Sequence, residues 1–393
     1  MGAAVRSLLV VALLLAGLVP VGVPAGAAGC SVPKGVYTDA TPWAQRLVDA
    51  PRIWPLSTGS GVTVAVVGTG VDAANAQFAP GQVLPQINLL PGSTPDCDGR
   101  GTFAAGIVAA HTNPATTFAG VAPGAHILPI RYTQSTSDST QGADPNALAT
   151  ALGRAVDAHA RVILVVVPAG SDSAALRSAV QHAHDAGDVV VAPAVATQAG
   201  ASSYPTATHG VLGVGAVDSA GAAVQTESGG YVAVAAPGAD LVSTSAGADG
   251  RLGMEWPVHD PSFAAAYVAG TVALLRSYLP ALTPDQITNR LTLTASRAAG
   301  GAHDGKLGWG VLDAYAAVSA ELPANVAGPG AASGAPQLKP VLPAAAPSPA
   351  GSPYRWAGIV ALLAVLLAAL VVFGAATVRR GRARGWRLGR LGG

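Results

Sequence analysis

Residues Gly61-Val-Thr-Val-Ala-Val-Val-Gly68 form a continuous apolar run of strand length, rich in valine and followed by Thr69-Gly70. A strand with one wet face would alternate apolar and polar side chains. This run does not, so it is predicted to lie in a parallel sheet covered on both faces. Working outward, similar runs recur at Ala125–Arg131, Arg161–Val167, Asp188–Ala192, Val211–Val217 and Tyr231–Ala235. Segments of helical length lie between them at Phe103–His111, Asn146–His159 and Ala174–Gly187. A long apolar helix starts near Pro261, and another spans Thr283–Ala295. Strands alternating with helices predict a doubly wound α/β domain over residues 61–321, with a mostly parallel sheet and helices on both faces. Sites in such folds lie at the carboxyl ends of the strands.

The flanks of this domain have a different character. Residues 1–28 read as a secretory signal: Arg6, then the apolar run Leu8–Val19, then the small residues Ala25-Gly26-Ala27. Residues 29–60 read as an extension wrapped on the domain surface. Residues 322–353 are Pro, Ala, Gly and Ser with no core-forming pattern, as in a linker. Residues 356–378 are uncharged and apolar, long enough to span a bilayer, with Tyr354 and Trp356 at one edge. Arg379, Arg380, Arg382, Arg384, Arg387 and Arg390 follow. The positive-inside rule makes 379–393 a cytoplasmic tail and places the α/β domain outside.

Half of the 393 residues are hydrophobic and 11% are charged, which suits one large core. The formal net charge of +1 gives no reason to expect a nucleic-acid partner. No cluster has metal-ligand spacing, so neither metal nor cofactor is expected. Cys30 and Cys97 are the only cysteines. In an exported chain an even count suggests one disulfide, which would close a loop of about 66 residues and stabilise by about 4 kcal/mol. Ala27-Ala28-Gly29-Cys30 also weakly resembles a lipoprotein processing site, so lipidation of Cys30 is an alternative.

The stretch Val258-His-Asp-Pro-Ser-Phe-Ala-Ala-Ala-Tyr-Val-Ala-Gly270 places Ser262 at a helix start. Two readings apply. Asp260 can be the N-cap with Pro261 at the first helical position, leaving Ser262 structural. Alternatively Ser262 is a nucleophile, with its own backbone N–H as half of an oxyanion hole at the positive end of the helix.

Five segments resemble the subtilisin-like serine proteases in the right order. Gly61–Asp72 resembles the first catalytic segment, and Asp96-Cys-Asp-Gly-Arg-Gly-Thr-Phe-Ala-Ala-Gly-Ile107 the second. Gly120–Ala125 and Ala235–Gly238 resemble recurrent turns, and Pro261–Gly270 resembles the nucleophile segment. With the leader, the Pro42-Trp-Ala-Gln45 extension, the linker, the single span and the arginine tail, the layout resembles the mycosins. These are membrane-anchored subtilases of type VII secretion systems. The resemblance implies a Cys30–Cys97 disulfide and partners in the type VII membrane complex.

The departures fall on the chemistry. Gly68 stands at the family's aspartate position, Arg100 at its histidine, Ala196 at its oxyanion asparagine and Asp260-Pro261 at its Gly-Thr; Ser262 alone is retained. Arginine stays protonated and cannot accept the serine proton. Loss of the base costs about a million-fold in turnover, and loss of an oxyanion donor about 100- to 1,000-fold. The expectation is therefore a degenerate member acting as a structural component, with Arg100 paired to Asp260 and Gly68 leaving room for the longer side chain. The alternative is a residual or rewired endopeptidase using Ser262. His259, His111, His126 and His209 are the histidines weighed as replacement bases. Asp72, Asp96 and Asp98 read as turn and capping carboxylates. An extended peptide held in the old substrate cleft is a further possible partner.

Overall fold

The computed structural model describes residues 35–92, 96–134, 143–195, 202–247, 254–256, 260–297, 301–323, 326, 328–329, 374–376, 379–380 and 384. Two short helices, α1 (Trp43–Val48) and α2 (Ala50–Ile53), precede the sheet. The valine run forms β1 (Thr63–Gly68) and is central, as its lack of a polar face requires. It joins β2 (Ile87–Asn88), β3 (His126–Arg131), β4 (Val162–Val165), β5 (Val189–Pro193), β6 (Val211–Val217) and β7 (Val232–Pro237). The order is β2-β3-β1-β4-β5-β6-β7, with every pairing parallel. Val64 and Val66 enter one core with α3 (Arg100–Ala109) and α6 (Pro261–Tyr278). Ala65 and Val67 enter the other with α4 (Pro145–Asp157) and α5 (Ala174–Asp185). The continuous apolar run is thus explained by two dry faces. Helix α6 is apolar all round because it too is enclosed: Phe263 to Ala266 and Val272 to Leu275 are fully buried.

Helix ends follow capping chemistry. The Asp144 carboxylate accepts from Asn146 N–H, and Ser173 Oγ from Leu176 N–H. Thr283 and Gln286 form a reciprocal capping box that starts α7 (Pro284–Thr294). Helix α3 begins three residues before the predicted Phe103. The Asp96 carboxylate accepts from Gly99 N–H (2.9 Å) and Thr102 N–H (2.8 Å), satisfying donors that a helix start leaves orphaned.

The extension was expected to wrap on the domain surface. Its described part carries the helices α1 and α2, and Ala44, Val48, Ala50 and Ile53 are buried in the core to which α6 also contributes. Arg52 lies 3.7 Å above the Tyr315 ring on α8 (Ala314–Ser319), which ties the extension to the end of the domain. The antiparallel pair β8 (Leu241–Ser243) and β9 (Met254–Trp256), along with β2 and α8, was not predicted. These elements have two to six residues, too few for periodicity to register.

The leader 1–28, Cys30 and most of the linker and of 356–378 lie outside the described residues. Among the described residues no helix is long and apolar enough to cross a membrane, and no cysteine is free. Residues Leu338–Gly393 form a separate unit.

Candidate active site

Gly68 closes β1, Arg100 opens α3 and Ser262 lies in the first turn of α6. The α3 and α6 helices meet through Phe103 and Phe263, whose ring centroids are 4.5 Å apart at 46°. A Cβ on Gly101 would lie 1.9 Å from the Gly70 carbonyl oxygen. Only glycine therefore lets the start of α3 rest on the loop after β1, and Arg100 enters the site from there.

Arg100 and Ser262 are brought together through Asp260. Arg100 Nη1 donates to Asp260 Oδ2, and Arg100 Nε lies 3.6 Å from Asp98 Oδ1. The guanidinium also stands 5.3 Å from the Phe263 ring centroid. Arg100 is only 9% exposed. Burial disfavours its charge, but Asp260, Asp98 and Asp96 together outweigh that and hold it above the usual arginine range. This residue is a fixed cation.

The other Asp260 oxygen faces Ser262. Asp260 Oδ1 accepts the Ser262 backbone N–H at 2.9 Å, so Asp260 is the N-cap of α6. Ser262 is 4% exposed, and its hydroxyl has no hydrogen-bond partner among the described residues.

Asp96 and Asp72 take structural positions, as their turn-and-cap reading requires. Asp96 caps α3 and also accepts from Thr102 Oγ1 at 2.7 Å; burial still pushes its carboxyl up. Asp72 accepts from Ala74 N–H and Gly247 N–H, and its own N–H donates to Thr102 Oγ1. Thr102, which the sequence reading passed over, thus links the first and second segments. Its place two residues after Arg100, in the first turn, was the available signal.

Gly68 is bounded by its neighbouring strand. A Cβ there would meet Val166 Cβ at 3.2 Å and Val167 Cγ2 at 3.8 Å. The space expected for Arg100 is therefore not what the glycine provides first; it relieves crowding against the valines after β4. Three of the four histidines are remote. His126 begins β3, at the end of the sheet opposite Gly68. His111 follows the far end of α3, about 15 Å along its axis from Arg100. His209 is exposed in the turn before β6. His259 and Ala196 lie outside the described residues. No group of three or more His, Cys, Asp or Glu able to hold a metal occurs among the described residues.

A parallel sheet with this strand order, and a serine opening a buried helix beside the carboxyl end of β1, define a subtilisin-like α/β fold. The chain belongs to the subtilase family, whose model matches residues 59–310. Mycosins are among the subtilases it is similar to. It is 33% identical to mycosin-3 of Mycobacterium tuberculosis (strain ATCC 25618 / H37Rv), over 90% of this chain and 87% of that one. Among solved structures it resembles the MycP3 protease from the type VII (ESX-3) secretion system, with a TM-score of 0.64 and 30% identity, over 74% of this chain and 92% of that one. It also resembles a chain in the intact ESX-5 inner membrane complex, with a TM-score of 0.64 and 29% identity, over 89% and 94%.

Proposed function

We propose that this chain is a catalytically impaired mycosin-type subtilase that serves as a structural component of a type VII secretion membrane complex. The observation that carries this reading is the Arg100 side chain bonded to Asp260 beside Ser262. A permanent cation with no acceptor lone pair stands at the base position, and the hydroxyl it should serve has no partner among the described residues. Gly68 cannot orient an imidazole, and among the described residues none is there to be oriented. The likeness to a chain within the ESX-5 inner membrane complex supports assembly as the retained role.

The proposal includes the topology read from the sequence. The domain lies outside the membrane, 356–378 anchors it, and 379–393 is cytoplasmic. It also includes a Cys30–Cys97 disulfide linking the extension to the loop before α3. A residual endopeptidase acting through Ser262 is the competing reading, favoured by retention of the serine at the helix start.

The test is treatment of the purified full-length chain with a serine-reactive fluorophosphonate, alongside Ser262→Ala. The expected result is no labelling that depends on residue 262, together with co-purification of type VII membrane components by both forms. Labelling or peptide hydrolysis that disappears in Ser262→Ala would establish the peptidase instead.

A further inference from the structure

The Ser262 backbone N–H is the one oxyanion donor that substitution of side chains could not have removed. It belongs to the main chain, at the positive end of an 18-residue helix. In an acyl-transfer site such a donor must be free to meet the negative oxygen that develops on the substrate. Here it is already engaged by Asp260 Oδ1, at 2.9 Å.

We infer that Asp260 is a built-in anionic occupant of the oxyanion site, held there by Arg100. The inference rests on the reading of the site as catalytically impaired and goes beyond it. Among the described residues the centre has no base, and the Ser262 donor is also filled by the chain's own carboxylate. The two Asp260 oxygens divide the work. Oδ1 takes the helix N–H, while Oδ2 takes the Arg100 guanidinium. Arg100 is fixed in turn by Asp98 on its Nε side and by the Phe263 ring. The Asp260 side chain is 14% exposed, so little water competes for either bond. The Asp260 main chain is also anchored, its N–H donating to the Gly238 carbonyl at 2.7 Å. A carboxylate fixed at both oxygens and at its backbone is placed as a bound anion would be, with its charge balanced by the cation that replaces the base.

One consequence is that restoring the catalytic side chains leaves the oxyanion site closed. Arg100→His with Gly68→Asp rebuilds a base and its orienter but keeps the Asp260 carboxylate on the Ser262 N–H. Adding Asp260→Gly opens that donor. Glycine is itself a tolerated N-cap, so α6 keeps its start.

The test has two readouts on the full-length chain. Selective 15N-serine labelling follows the Ser262 amide directly. In Asp260→Gly its resonance shifts and its hydrogen exchange accelerates by about tenfold or more, because the donor loses its acceptor. An unchanged amide overturns the inference, whatever the activity. In the Arg100→His, Gly68→Asp background, adding Asp260→Gly raises Ser262-dependent peptide hydrolysis by about 100-fold or more. Equal, measurable rates with and without Asp260 also overturn it. Ser262-dependent hydrolysis by the unaltered chain would remove the proposed function while leaving the amide result to be read on its own.

Discussion

The Arg100 guanidinium and the Asp260 carboxylate are bonded to each other at the meeting point of the α3 and α6 N-termini. Both side chains are nearly enclosed, at 11% and 14% exposure. A pair so placed has two effects. It fills the space where a catalytic histidine would work, and it fixes one helix start against the other. Buried pairs of this kind add little net stability, but removing one partner strands the other. Arg100→Ala is expected to destabilise the domain by about 3 kcal/mol, because it leaves Asp260 and Asp98 without their cation. Arg100→Ala with Asp260→Ala should cost clearly less than the sum of the single changes. Urea unfolding of the four forms gives the coupling; strict additivity would mean the pair is not an energetic unit.

Gly68→Asp tests whether the orienter position can be refilled. The new Cβ would sit 3.2 Å from Val166 Cβ, tighter than ordinary contact. The substitution is expected to cost about 1–3 kcal/mol by overpacking. Adding Val166→Ala should return part of that loss. Neither form should gain peptidase activity, because Arg100 still cannot accept a proton. Thermal unfolding with a fluorogenic peptide assay checks both halves.

A pH effect is expected at the opposite end of the sheet. Burial pushes Asp188, at the start of β5, up to about 6, and Arg161 and Arg276 pull it down only in part. The folded protein therefore holds a proton on Asp188 at pH values where the unfolded chain has released it. This contribution to stability is present near pH 4 and falls as pH rises toward about 6. Asp188→Asn should flatten that slope. Unfolding midpoints of both forms between pH 4 and 7 decide the matter, and identical slopes would count against it.

Arg290 is a structural cation with a definite task. From α7 it donates to the carbonyls of Ala317, Val318 and Ala320, closing the end of α8. Arg290→Leu orphans these acceptors and is expected to cost about 2–4 kcal/mol, at roughly 1 kcal/mol or more for each lost bond. Limited proteolysis should then cut near residue 320 before elsewhere. Loss of stability without earlier cleavage there would show that the carbonyls found other donors.

The sheet was legible because its strands carry a local signal. Val211–Val217 appears with the predicted ends, and β1, β3, β5 and β7 shift by only one or two residues. The helices of the extension were not legible, because Ala44, Val48, Ala50 and Ile53 are buried against elements far along the chain, α8 among them. The α2–α8 contact, with Arg52 over Tyr315, joins residues more than 200 apart in the chain.

The sequence by itself determined which side chains are present at the centre. A residue that cannot take a proton is fixed by its covalent structure, so Arg100 and Gly68 could be judged without coordinates. It also placed Asp260 as the helix cap, because an Asp-Pro step at a helix start is local chemistry. The pairing of Arg100 with Asp260 was expected from the family resemblance, but only the tertiary structure showed that Phe263 faces the same guanidinium while Asp260 divides its two oxygens between Arg100 and the Ser262 N–H. The contacts of Arg100 with Asp260 and Phe263 join segments about 160 residues apart, and their geometry is set by how α3 meets α6, which no single stretch of chain encodes.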